Sequence, residues 1–244
     1  MDPSTGTMAA LALGFLLGLK HATDADHIVA VSTIVGRYRN VWRGIWVGAS
    51  WGLGHTIPLL IIGVIVLIFK QTVLDQYSAL APILEFGVGI MLVILGTQVF
   101  WNVTRGRLHL HEHEHDNKPH FHIHGSHSKE ESTVDESTHG FFHFGKPIFR
   151  FRSFTIGFVH GLAGSAAIMI ILLPTLASLW TGIGYLVIFG LGTVLSMGLL
   201  TVILSIPFAV TSGNQKLNLG ITIAAGIASV VFGIVLMTNI VTAS

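Results

Sequence analysis

Two histidines and two aspartates fall within seven residues at His21-Ala22-Thr23-Asp24-Ala25-Asp26-His27, directly after Lys20. Imidazole nitrogens and hard carboxylate oxygens together suit a divalent transition metal. The cluster lies inside an otherwise apolar run, Met8 to Val35, which as one helix would extend roughly 42 Å and cross a bilayer. Asp24 would stand roughly 24 Å along it, close to mid-membrane. A charge at the centre of a spanning helix costs roughly 2.5–3.5 kcal/mol on insertion scales, so these groups need compensating partners. A helix turns about 100° per residue, which sets His21, Asp24 and His27 on one arc and turns Asp26 nearly opposite. Either Asp26 acts from behind the other ligands or the helix is unwound there. The plainer alternative is a polar patch satisfied by neighbouring helices.

A further imidazole, His55, stands in the next apolar stretch within Trp51-Gly52-Leu53-Gly54-His55-Thr56-Ile57-Pro58. The spacing His21-x4-Asp26-His27 resembles the HX4DH motif of the nickel/cobalt transporter family, and Gly54-His55-Thr56 resembles that family's second element. The resemblance is tightest over residues 14–66. Further on, Gly157-Phe158-Val159-His160-Gly161-Leu162-Ala163-Gly164-Ser165 stands where that family has acidic motifs. This version is similar to the six-helix, UreH-type membrane proteins associated with urease. The resemblance implies a membrane permease for Ni²⁺ or Co²⁺, with His21, Asp24, Asp26, His27 and His55 as metal ligands.

Composition agrees with a chain that crosses the membrane repeatedly: 51% of residues are hydrophobic and 10% charged, with mean hydropathy +0.72. The absence of Cys removes disulfides and thiolate metal sites, leaving His, carboxylate and Met as ligands. A formal net charge of +1 gives no sign of a nucleic-acid partner. Residues 1–7 lack the basic region of a signal peptide, so the first apolar run reads as a retained helix.

Six apolar stretches appear, at 8–35, 44–69, 79–101, 151–179, 182–209 and 217–241. The expected fold is therefore all-α and integral to the membrane, with six transmembrane helices. Arg and Lys concentrate after the first, third and fifth stretches, including Arg37, Arg39, Arg105, Arg107, Arg150, Arg152 and Lys216, against Lys70 on the other side. Basic residues favour the cytoplasmic side. Both termini are expected outside the cell membrane, and the long connection inside. Glu85 is expected near the outer interface, at the opening of the third helix.

That connection, 102–150, is a different material. It carries ten of the fourteen His, among them His109, His111, His113, His115, His120, His122 and His124. Without apolar periodicity, it reads as a disordered cytoplasmic loop that binds divalent metal through neutral imidazole. The alternative is a polar linker that binds metal incidentally.

The flanking segments, 1–101 and 151–244, look like copies of one another. Gly14-Phe15-x-x-Gly18-Leu19 matches Gly157-Phe158-x-x-Gly161-Leu162, Gly52-Leu53-Gly54 matches Gly190-Leu191-Gly192, and Gly89-Ile90 with Gly96 matches Gly226-Ile227 with Gly233. Three helices per copy imply two inverted repeats, a common transporter plan with its site near the midplane. The first and fourth helices are then expected to cross near Gly18 and Gly161. Thr56, His160, Ser165 and Thr193 are the candidate pathway residues around that site.

The function that best fits is transport of a divalent metal, Ni²⁺ or Co²⁺, most simply uptake, with no organic cofactor and no enzymatic activity. A cytosolic metallochaperone of a urease or hydrogenase would be the receiving partner. Efflux through the same fold is an alternative, and an intramembrane metal-dependent hydrolase a more distant one, since no HExxH or further acid/base carboxylate stands in the second half.

Overall fold

The computed structural model describes residues 3–36, 41–69, 71–105, 109–115, 118–124, 149–162, 172–176 and 178–243. The first apolar run forms two helices rather than one, α1 (Pro3–His21) and α2 (Ala25–Val35). Then come α3 (Val41–Phe69), α4 (Gln71–Thr104), a hairpin of β1 (His109–His115) and β2 (Lys118–His124), and α5 (Phe151–Leu162). A 3₁₀ turn at Leu173–Thr175 precedes α6 (Leu179–Val210) and α7 (Gln215–Ala243). Ser165 and most of the His-rich connection lie outside the described residues.

Among the described residues, four helices are long and apolar enough to cross a membrane, over Gly44–Phe69, Thr72–Thr104, Leu179–Gly213 and Gln215–Ala243. Their outer faces carry exposed Ile61, Ile65, Leu191, Leu195 and Leu199, while His27, His55, His160, Thr193, Thr201 and Ser205 are buried. Apolar outside and polar inside is the arrangement a bilayer demands. This is a multi-pass membrane protein.

Glycines set the packing, because lipid provides no hydrophobic drive between helices and close backbone approach must supply the contact. On α3, Gly48 abuts Met197 and Gly198 of α6, while Gly52 abuts Val194, an antiparallel crossing. Helices α4 and α7 are also antiparallel: a Cβ on Gly96 would lie 2.6 Å from the carbonyl of Gly226, and one on Gly233 would lie 2.6 Å from that of Gly89. Gly18 backs onto Phe189 and Thr193 of α6, whereas Gly157 and Gly161 back onto Trp51 and His55 of α3. The expected crossing of α1 and α5 at Gly18 and Gly161 is thus replaced by two separate pairings, α1 with α6 and α5 with α3.

Two further expectations change. Helix α4 begins at Gln71 rather than near residue 79, so half-buried Glu85 stands near the middle of the helix instead of at its opening. The segment His109–His124, expected to lack structure, pairs as an antiparallel hairpin with His109 opposite His124, His111 opposite His122 and His113 opposite His120. Histidine at every second position is a period-two pattern, which suits a strand.

Candidate metal centre

The break between α1 and α2 is built by hydrogen bonding within and around the turn. The amides of Thr23 and Asp24 bond to the carbonyls of Lys20 and His21 at 2.9 and 3.1 Å, tightening the last turn to three-residue spacing. Thr23 Oγ1 adds a bond of 2.6 Å to the Lys20 carbonyl. The carbonyl of Leu19, left without its usual amide, accepts from Ser196 Oγ on α6 at 2.9 Å. Asp24 is extended (φ −64°, ψ 147°), and its carbonyl accepts from His27 and Ile28 to begin α2. Its carboxylate turns back to Lys20 Nζ at 3.0 Å and His21 Nδ1 at 3.1 Å.

Four imidazoles converge on this break. His21 is 4% exposed, and His27, His55 and His160 are fully buried. The ring centroid of His27 lies 4.8 Å from His21, 4.8 Å from His55 and 4.1 Å from His160. His21 Nε2 and His55 Nε2 are 2.7 Å apart. Asp26 is no longer turned away. Its Oδ1 meets His27 Nδ1 at 2.8 Å and its Oδ2 meets His160 Nε2 at 2.9 Å. Of the two readings left open for Asp26, the unwound helix is the one observed.

Three buried nitrogens, His27 Nε2, His55 Nδ1 and His160 Nδ1, have no hydrogen-bond partner among the described residues. A buried polar atom left unpaired costs roughly 1–3 kcal/mol, which three neighbouring imidazoles would not all bear without return. Lone pairs on neutral imidazole are transition-metal ligands. The set therefore fits a divalent ion, and Asp26 supplies countercharge.

The candidates divide cleanly. His21, Asp26, His27, His55 and His160 meet in one cluster, and Asp24 touches it through His21. Thr56 is buried against Gly190. Thr193 Oγ1 is taken up by the carbonyls of Phe189 at 3.0 Å and Gly18 at 3.4 Å, a helix-joining role. Two aromatic walls were not anticipated. The Trp51 ring lies 5.9 Å from His160 and 6.5 Å from His27, and Phe189 lies 5.7 Å from His21. Trp51 precedes His55 by four residues, so both lie on one face of α3, a spacing that could have marked it.

The chain is 36% identical over 233 residues to the urease accessory protein UreH of Bacillus sp. (strain TB-90), covering 96% of this chain and 92% of that protein. The chain belongs to the UreH family. Membership speaks for a chain that is not an enzyme. A second relative of this UreH-family chain is the chloroplast protein FOR GROWTH AND FERTILITY 2 of Arabidopsis thaliana, 25% identical over 232 residues. That match covers 93% of this chain and 55% of the plant protein. No family model and no solved structure matches.

Proposed function

We propose that this protein carries Ni²⁺ or Co²⁺ across the cell membrane through the His/Asp cluster at the break between α1 and α2. The observation that carries the reading is the convergence of four buried imidazoles at that break, with Asp26 bonded to two of them, His27 and His160. A buried ionisable cluster at membrane depth marks an ion path. His21, Asp26, His27, His55 and His160 replace part of the ion's hydration shell, and Asp24 supports the site through His21. Kinship with a urease accessory protein points to the cargo, since urease is the enzyme that such a protein serves. Uptake follows if the basic flanks hold the His-rich connection in the cytoplasm, where a metallochaperone of urease or hydrogenase receives the ion. The termini then lie outside.

The transporter reading includes six spans in two inverted repeats. Its support is a set of reciprocal contacts. Gly18 backs onto Phe189 as Gly157 backs onto Trp51, and Gly192 abuts Phe15 as Gly54 abuts Phe154. Those equivalences pair Gly18 with Gly157 and His21 with His160, one helical turn away from the Gly14-to-Gly157 match read in the sequence.

Cell-associated ⁶³Ni with and without expression tests the proposal. Uptake raises it, export lowers it, and no change in either direction would refute transport.

A further inference from the structure

Among the described residues, two overlapping groups of ligating side chains occur at the break: His21 with His27 and His55, and Asp26 with His27 and His160. Within each group the ligating atoms lie within 4.8 Å of one another, and His27 belongs to both. Its two nitrogens are engaged differently. Nδ1 meets Asp26 Oδ1 at 2.8 Å, on the side where Asp26 also meets His160. That leaves Nε2, buried and without a partner among the described residues, for the His21–His55 pair. Either nitrogen of a neutral imidazole can be the ligand while the other carries the proton, so serving the second group moves the His27 ring proton from Nδ1 to Nε2. The reciprocal glycine contacts make His21 and His160 counterparts, so the two groups flank one shared ring.

We propose that the transported ion occupies two successive positions at this site, one held by His21, His27 and His55 and the other by Asp26, His27 and His160. It passes between them across the His27 ring, exchanging His21 and His55 for Asp26 and His160. This inference rests on the transport reading above. It answers a difficulty that a single site would create. Ni²⁺ stands near the top of the divalent affinity order, so one site gathering all five donors would hold the ion rather than release it. Two three-donor positions bind less tightly, and several weak sites in series are how an ion path combines entry with exit. The carboxylate belongs to one position only, so the two differ in charge as well as in geometry.

Co²⁺, whose visible spectrum reports its ligands, is the probe for the purified full-length protein in lipid nanodiscs. The ten histidines between His109 and His143 are changed to Asn, so that the connection does not contribute. His55→Gln removes a ligand from one position and His160→Gln from the other, and Gln keeps a hydrogen-bonding side chain where Ala could unfold the core. Each single variant should keep Co²⁺ affinity within about tenfold of the parent, with spectra that differ from each other. The double variant should lose a further factor of about a hundred. Either single variant falling as far as the double would mean one five-donor site and overturn the handoff. So would either single variant accumulating ⁶³Ni in cells at the parental rate. A parent that moves no ⁶³Ni would overturn the transport reading itself, a result separable from both.

Discussion

Nε2 of His160 meets Oδ2 of Asp26 at 2.9 Å across 134 positions of sequence. The bond ties α5 to the break between α1 and α2, and it exists because the break swings Asp26 round from the back of the helix. Asp26 then spans two buried rings, holding His27 Nδ1 at 2.8 Å with its other oxygen. A carboxylate in that position orients imidazoles as well as supplying charge.

Asp26→Asn keeps the shape and one acceptor but removes the charge. Cell-associated ⁶³Ni should fall by at least about tenfold, while the protein still reaches the membrane fraction. Wild-type accumulation in a correctly inserted variant would reduce Asp26 to a structural tie.

Neighbouring substitutions should differ sharply. His27 belongs to both ligand groups, so His27→Ala should abolish accumulation, and His21→Ala should lower it by at least about tenfold. Lys20 is 66% exposed and pairs with Asp24 at 3.0 Å. An exposed pair of this kind contributes roughly 0–1 kcal/mol, so Lys20→Ala should transport at nearly the wild-type rate. Parallel ⁶³Ni uptake curves for the three variants give the comparison, and equal loss in all three would point to general misfolding.

How far the site could be read in advance depends on what each residue's neighbours reveal. The His21–His27 stretch was legible because charge inside an apolar run has few explanations. The need for a break followed from helix geometry once Asp26 was asked to join its neighbours. His160 was harder, since a lone imidazole in a helix more often packs than ligates, and its partner stands 134 residues away. Trp51 and Phe189 were invisible as walls because aromatic residues are ordinary in apolar helices. The glycine pattern matches Gly14 with Gly157, whereas it is Gly18 whose backbone contact resembles that of Gly157, because glycines recur one turn apart at Gly14 and Gly18 and again at Gly157 and Gly161. Only the three-dimensional contacts choose between the two alignments.

Ser196 holds the break open from outside by donating to the Leu19 carbonyl at 2.9 Å. Ser196→Ala leaves that carbonyl without its donor, at a cost of roughly 1–3 kcal/mol. The melting temperature in detergent should drop, and transport should weaken with it. An unchanged melting curve would show that the turn needs no help from α6.

Close packing of α5 on α3 carries His160 to its partners. A side chain on Gly157 would run into the Trp51 carbonyl and ring, neither of which can withdraw readily. Gly157→Val should cost roughly 1–3 kcal/mol and lower both melting temperature and uptake. Gly220 on α7 has nothing within 4 Å of an added Cβ, so Gly220→Ala should leave both at or slightly above wild type. A tolerant Gly157 would mean that α5 can move without disturbing the site.

The His-rich connection makes the last prediction, because the cluster is built from residues of the helices and the break between them. Deleting residues 109–139 should leave ⁶³Ni uptake measurable while lowering the number of ions retained by purified protein. The lost fraction should itself depend on pH. Histidine binds metal in its neutral form, and an unperturbed imidazole protonates near pH 6.5. Ion retention by the intact connection should therefore be full above that value and fall as pH drops through it. The deleted protein should show a smaller change over the same range, measured by equilibrium dialysis against Ni²⁺ between about pH 5.5 and pH 7.5. Complete loss of uptake on deletion, at normal membrane levels, would place the connection within the transport path and contradict its role as a separate store.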